Sequence, residues 1–206
     1  MFLDKLEVGV YGANCYIVGD KVTGEAAIID PGGDGDKILT VLDNNKLKLK
    51  YVFLTHGHGD HIGGLNEIKN KTDVPILIHQ EDLYLLKDKN KNHSAMMGGN
   101  VVEMTADSYV KDGQIFQLGE LNLRIIHTPG HTKGGICIHV KNVVFTGDTL
   151  FANSIGRTDL DGGNFQTIIQ SIKEKLMILD ENTIVYPGHG PASKIGIEKT
   201  SNPYLI

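Results

Sequence analysis

Cysteine is scarce: the 206-residue chain has two, Cys15 and Cys137, set far apart. Two distant thiols make no disulfide framework, so a reducing, cytoplasmic location is expected. Cys137 lies inside the apolar run Ile136-Cys137-Ile138 and reads as a small buried hydrophobe rather than a ligand. Basic charge is also in deficit, with 20 Lys and Arg against 25 Asp and Glu and a net charge of −5. That leaves no basic stripe for nucleic acid and no polybasic segment for an anionic membrane surface. No apolar run approaches the ~20 residues that cross a bilayer. Met1 to Val10 carries Asp4, Lys5 and Glu7 among its apolar residues, unlike a signal peptide. Runs of serine and proline that would mark a linker are missing as well. The length suits one core, or two small halves fused into one, so residues 1–206 are read as a single domain.

Glycine, by contrast, is abundant at 25 residues. It clusters at Gly32-Gly33, between Gly57 and Gly64, and at Gly134-Gly135, Gly162-Gly163 and Gly188-Gly190. Most clusters follow short apolar runs, where a chain must turn sharply. Strands are expected over residues 14–18, 26–29, 51–54 and 74–78, and helices over 36–45 and 63–71, with a helical turn or two over 81–86 and a polar loop over 87–94. The second half repeats this grammar, with strands over 115–118, 121–126, 135–140, 143–146 and 183–186. A helix over 165–179 would put Phe165, Ile168, Ile169, Ile172, Leu176 and Leu179 on one face. Two similar halves of alternating strands and helices predict a layered α/β sandwich.

Four of these strands run into histidine or aspartate. Tyr51-Val52-Phe53-Leu54 leads into His56, His58, Asp60 and His61; the strand over 121–126 leads into His131; that over 143–146 into Asp148; and the last into His189. In layered α/β folds, sites form beyond strand ends where loops converge. Imidazole and carboxylate donors suit zinc, iron or manganese, and no thiolate stands among them to suggest a structural zinc knot. Four donors within the six residues of His56-Gly57-His58-Gly59-Asp60-His61 require a tight loop, which Gly57 and Gly59 permit. At this composition such spacing arises by chance about once in a thousand sequences. His79, His93 and His139 read as packed or solvated histidines. His127, close to His131 in sequence, reads as a residue that orients a ligand by hydrogen bond.

This pattern resembles the metallo-β-lactamase superfamily over nearly the whole chain. Asn14-Cys15-Tyr16, Asp30-Pro31-Gly32-Gly33, His127-Thr128-Pro129-Gly130-His131-Thr132, Phe145-Thr146-Gly147-Asp148-Thr149-Leu150 and Tyr186-Pro187-Gly188-His189-Gly190 look like its glyoxalase II branch. The resemblance implies a four-layered αββα sandwich. It implies two divalent metal ions, zinc first, with iron or manganese as alternatives. His56, His58 and His131 would hold the first, Asp60, His61 and His189 the second, and Asp148 both. β-Lactamases usually lack such a bridging carboxylate, which weighs against antibiotic hydrolysis. Only 17 residues follow His189, so no counterpart of the helical domain that helps glyoxalase II grip glutathione is expected, and the resemblance is to short single-domain relatives. Gly156-Arg157-Thr158-Asp159 stands where glyoxalase II has a lysine and then a tyrosine for glutathione. Arg157 replaces that charge as the substrate-binding candidate, unless it is tied up in an ion pair with Asp159.

Two cations a few ångströms apart make a water nucleophilic near neutral pH. Asp60 would help orient that water, and Asp148 would fix the pair of metals, so these two are the catalytic candidates. A thiol of pKa ~8.5 leaves without a strong acid. The expected substrate is therefore a small thioester of the S-acyl-glutathione type, S-lactoylglutathione first. The alternatives are a mononuclear-iron persulfide dioxygenase, which shares the scaffold, and a catalytically silent metal-binding protein.

Overall fold

The computed structural model describes residues 1–206. Six strands form the first sheet in chain order: β1 (Phe2–Val8), β2 (Ala13–Gly19), β3 (Glu25–Ile29), β4 (Lys48–Phe53), β5 (Ile76–His79) and β6 (Ser108–Val110). Pairing is antiparallel from β1 to β3 and parallel from β3 to β6. The second half adds β7 (Ile115–Leu118), β8 (Leu121–His127), β9 (Ile136–Val140), β10 (Val143–Gly147), a two-stranded ribbon of β11 (Leu150–Phe151) and β12 (Ser154–Ile155), then β13 (Ile184–Pro187) and β14 (Ser193–Lys194). The second sheet runs β14-β13-β10-β9-β8-β7. Because β9 is antiparallel to both β8 and β10, and β13 is parallel to β10, the strands β8, β10 and β13 point the same way.

Burial divides the molecule into four layers. Tyr16, Val18, Ile29 and Phe53 of the first sheet meet Leu123, Ile125, Ile138 and Phe145 of the second in a central core. On the outer face of the first sheet, Ile17, Ile28 and Val52 pack under Ile38 and Leu42 of α1 (Gly35–Asn44) and Leu65 and Ile68, with α2 (Gly59–Ile62) leading into α3 (Leu65–Lys71). On the outer face of the second, Cys137, Val144 and Val185 pack under Ile168, Ile172, Leu176 and Ile195. These last come from α5 (Phe165–Ser171) and its continuation and from α6 (Ile195–Ser201), with the short α4 (Leu83–Leu86) preceding them in the chain. The architecture is an αββα sandwich. Strands covered on both faces read as continuous apolar runs, and all seven residues of β2 are buried. Each fully buried aliphatic contributes about 1.5–3 kcal/mol of transfer free energy.

Several elements escaped the sequence reading, among them β1, β6 and α6, along with the short β11, β12, β14 and α2. β1 mixes charge with apolar residues because it is an edge strand; β6 is three residues long; α6 carries two charges and a glycine in seven positions. The expected helix over 165–179 is shorter and irregular. Asn164 caps it by accepting from the Thr167 N–H, α5 ends at Ser171, and the next five residues widen into a π turn. Phe165 is 47% exposed and does not join the buried Ile168, Ile172 and Leu176.

Candidate metal centre

The four ligand-bearing loops do meet. β4 leads into a bend that carries His56 and then into the extended His58, and α2 carries Asp60 and His61 in its single turn. The parallel β8, β10 and β13 deliver His131, Asp148 and His189 to the same rim. Donor atoms of His56, His58 and His131 lie within 4.8 Å of one another, as do those of Asp60, His61 and His189. Asp148 lies between the two groups: Oδ1 is 3.3 Å from His61 Nε2, and Oδ2 is 3.8 Å from both His131 Nε2 and His189 Nε2. The structure thus brings together all seven residues expected from the sequence.

Glycine allows this crowding in a way the sequence reading did not foresee. Gly57 and Gly59 have ordinary negative φ, and their role is close approach. A Cβ on Gly57 would sit 2.7 Å from Leu85 Cβ, and one on Gly59 2.9 Å from Ser94. At Gly188 a Cβ would come within 2.3 Å of Asp148 Oδ1 and 2.6 Å of the His61 ring.

Hydrogen bonds show which ring nitrogen of each histidine faces the cleft. His61 Nδ1 donates to Asp30 Oδ2 at 3.0 Å, leaving Nε2 toward Asp60 and Asp148. His131 Nδ1 donates to the Arg157 carbonyl at 2.8 Å. His56 Nδ1 is 3.1 Å from Thr55 Oγ1, which in turn donates to Asp30. In the second triad His189 Nε2 donates to Asp60 Oδ2 at 3.1 Å. His58 is turned the other way, with Nδ1 facing His131 Nε2 at 2.9 Å. The buried His56 Nε2, His58 Nε2 and Asp148 Oδ1 have no hydrogen-bond partner. Buried polar atoms without partners are rare in proteins. His56 Nε2 and Asp148 Oδ1 belong to the cluster, where bound divalent cations would satisfy them, and the nitrogen and oxygen donor set fits zinc, iron or manganese.

Electrostatics sort the triads. Burial, and then the neighbouring imidazoles, lower His56 well below the usual histidine range and push His58 down to about 3. Burial also lowers His131 despite Asp148. Burial alone would lower His61 as well, but Asp148, Asp60 and Asp30 raise it well above the usual range. Burial would raise Asp60 and Asp148, yet His61 and the other imidazoles hold both below the usual carboxylate range.

Two carboxylates absent from the sequence-based site support it from behind. Asp30, at φ 52°, accepts from the Thr55 N–H at 2.7 Å as well as from His61. It was visible only as part of the turn Asp30-Pro31-Gly32-Gly33. Asp82 is fully buried and accepts from Gly57 N, Thr132 Oγ1 and Gly134 N, at 3.2, 2.7 and 2.6 Å, so it ties the His56–His58 loop to the His131 loop. Burial outweighs these bonds and pushes its carboxyl up to about 6. No signal in the sequence marked it.

One histidine reading changes, and a second, open between packed and solvated, falls on the packed side. His127 does not orient His131: its ring donates to the Lys133 carbonyl and stacks on His79, centroids 4.0 Å apart and 13° from parallel. His93 is no solvated loop residue. It lines a cavity of about 350 Å³ with Tyr11, Asp60, Met97, Asp148 and Arg157, and its Nε2 is buried without a partner. His79 and His139 are half-buried, as read. Arg157 reaches the cavity mouth, and its guanidinium is bonded twice to Asp159, at 2.8 and 2.7 Å. No helix is long and apolar enough to cross a membrane.

Comparison with known proteins agrees with this geometry. The family model described as the metallo-beta-lactamase superfamily matches residues 8–189. The chain is 39% identical to a probable metallo-hydrolase YqgX of Bacillus subtilis, over 98% of this chain and 96% of that one. It is 37% identical to the hydroxyacylglutathione hydrolase GloC of Haemophilus influenzae, over 100% and 98%. Among solved structures, BLEG-1 B3 metallo-beta-lactamase superposes with a TM-score of 0.92 at 34% identity, covering 99% of both chains. TTHA1623 in a di-iron-bound form gives 0.85 at 30%, covering 100% of both. ETHE1 from Myxococcus xanthus gives 0.82 at 29%, covering 98% of this chain and 84% of that one. The strand ends, the donor cluster and these similarities lead to one conclusion: the chain belongs to the metallo-β-lactamase superfamily.

Proposed function

We propose that the protein is a dinuclear metal-dependent hydrolase that cleaves small thioesters of the S-acyl-glutathione type, S-lactoylglutathione being the first to try. The observation that carries this reading is the pair of triads sharing Asp148. His56, His58 and His131 would hold one ion; Asp60, His61 and His189 the other. When bound, the two ions would supply Lewis acidity and a water activated near neutral pH. Asp60 is only slightly exposed, at the floor of the cavity, with its Oδ2 fixed by His189. Held ionised, it is placed to accept a hydrogen bond from an attacking water and so aim it at the acyl carbon. A leaving thiolate, whose conjugate acid has a pKa of ~8.5, needs little protonation, so the residues around it serve to bind rather than to donate protons. Arg157 at the mouth is the anion-binding candidate, with Asp159 the partner it would have to share. The GloC relative is named for hydroxyacylglutathione hydrolysis, which supports this substrate class.

A mononuclear-iron persulfide dioxygenase is the second reading. It would leave Asp60, His61 and His189 with no ligand duty, and their convergence within 4.8 Å favours the hydrolase. The BLEG-1 likeness adds a β-lactam to the substrates to be assayed. The test is elemental analysis of protein loaded separately with zinc, iron and manganese, followed by a panel of thioesters, glutathione persulfide and a β-lactam. Close to two metals per chain with thioester cleavage is expected. A ceiling of one metal under every loading, with oxygen uptake on the persulfide, would give the protein to the second reading.

A further inference from the structure

Of the four buried histidines of the two triads, three have a protein partner for the second ring nitrogen, while the fifth histidine, His189, is partly exposed. His61 has Asp30, His131 has the Arg157 carbonyl and His56 has Thr55. His58 is the exception. It faces His131 through Nδ1, and its Nε2 is buried with no partner. A metal-bound histidine nearly always donates its second N–H to some acceptor, which fixes ring orientation and basicity.

One unused acceptor lies beside it. The His93 ring is 5.8 Å from that of His58, and its own Nε2 is also buried and unpartnered. Elsewhere in the cluster, ring pairs with centroids 4.7 and 5.2 Å apart have nitrogens 2.9 and 3.3 Å apart. The His58–His93 spacing is only slightly wider. His93 is held there with some effort. Its φ of +67° is one a histidine seldom adopts. Its neighbours are fixed: Asn92 bonds the Leu85 and Val102 carbonyls and the Ser94 N–H, Ser94 accepts from Val102 N, and Gly59 N donates to the Asn92 carbonyl at 2.7 Å. That last bond ties this loop to the backbone next to His58.

We propose that His93 is a positioning residue for the first metal site: its Nε2 accepts the Nε2–H of His58 and holds that ring with Nδ1 toward the metal. This rests on the dinuclear reading above. The two rings lie side by side with both Nε2 atoms buried, and no other protein group bonds the His58 Nε2.

The test compares wild type with His93→Gly and His93→Gln, using metal retention rather than turnover. Glycine relieves the positive φ, so a merely structural His93 predicts a metal-free His93→Gly protein that is at least as stable and binds metal normally. Positioning predicts that the same variant, folded and with unchanged or raised Tm, loses one of its two ions to a competing chelator about tenfold more readily, the scale on which such outer partners act. His93→Gln, which offers an oxygen acceptor, should regain most of that affinity. In cobalt-loaded protein the His58 Nε2 proton should exchange slowly in wild type and fast in His93→Gly. If wild type holds two ions and both variants hold them as tightly, with only KM changed, His93 is a cavity-lining residue and the proposal is overturned. If wild type takes up no second ion, the dinuclear reading fails first, a result visible before any variant is made.

Discussion

The triad of His56, His58 and His131 and the triad of Asp60, His61 and His189 face each other across Asp148, yet they are built differently. The first is three buried imidazoles, each lowered toward the neutral form by burial. The second mixes a carboxylate with an imidazole that its carboxylate neighbours raise well above the usual histidine range, and its third member, His189, leaves 30% of its side chain in solvent. Neutral imidazoles are ready to bind a cation without releasing a proton, whereas a protonated one must give its proton up. On the dinuclear reading, the first triad would therefore take up a metal at neutral pH without losing a proton, and the second would exchange a proton for it. Asp148, common to both, couples the two.

That coupling gives the largest expected effect. Asp148→Ala should reduce metal content below one per chain and lower thioester kcat by ~10³-fold or more, the upper end for one electrostatic stabiliser of acyl transfer. His189→Ala touches only the second triad. It should leave one ion and lower kcat by at least ~10²-fold, with circular dichroism matching wild type. Oxygen uptake on glutathione persulfide that survives this substitution, with no thioester cleavage before or after it, would end the hydrolase reading.

The proton difference can be measured directly. His61 has a raised folded-state value, so in the metal-free protein its charge adds stability fully below the ordinary histidine range, and that contribution is lost as pH rises through the raised value. Loading the second site therefore competes with this proton and weakens as pH falls. Calorimetric titration in buffers of different ionisation enthalpy should show the second equivalent of metal releasing close to one proton near pH 7, and the first releasing none. Equal release in both steps would erase the distinction between the triads.

Asp82 sharpens the comparison from the other side, because it braces the loops of the first triad alone. Asp82→Ala leaves three donors, from Gly57, Thr132 and Gly134, without their acceptor. At about 1–3 kcal/mol for a buried group left unsatisfied, a loss of at least ~2 kcal/mol in denaturant unfolding is expected. The first ion should be retained more weakly while the second changes little. The carboxyl itself, raised to about 6, favours the folded state below the ordinary aspartate range and ceases to do so as pH rises through 6. A carbon-13 titration with its midpoint near the ordinary aspartate value would contradict the buried setting.

The seven candidate ligands were legible as a converging cluster because chemistry fixes their type and the strand ends fix their place: short apolar runs stopping at histidine or aspartate are a one-dimensional signal. The four layers were legible for a related reason, since strands such as β2 are apolar on both faces. What supports the ligands was not. Asp82 reaches Gly134 across 52 positions, and Asp30 reaches His61 across 31, with nothing local to mark either. His93 stands in a polar stretch whose buried neighbours, Asn92 and Ser94, are polar because they hold backbone rather than because they face water. His127 failed in the opposite sense. Nearness to His131 in sequence suggested contact, but the intervening Thr128-Pro129-Gly130 turns the chain away, with Gly130 at φ 132°.

Arg157 carries the smallest expected effect and the narrowest question. Its backbone carbonyl serves the first triad by holding His131, while its side chain lies at the mouth, exposed and paired with Asp159. Exposed pairs are worth about 0–1 kcal/mol even when they look well formed, so Asp159 restrains the guanidinium without fixing it, and an anionic substrate group can compete. Arg157→Ala keeps the carbonyl and removes only the fork. If the fork binds substrate equally in the ground and transition states, KM for S-lactoylglutathione should rise severalfold with kcat little changed, metal content should stay at two, and Tm should hold. Asp159→Ala should then act in the opposite direction, freeing the guanidinium and lowering KM. An unchanged KM in both variants, with a lowered Tm in Arg157→Ala, would make the pair a brace for the loop that carries the His131 acceptor, and the anion site would have to be sought elsewhere on the rim.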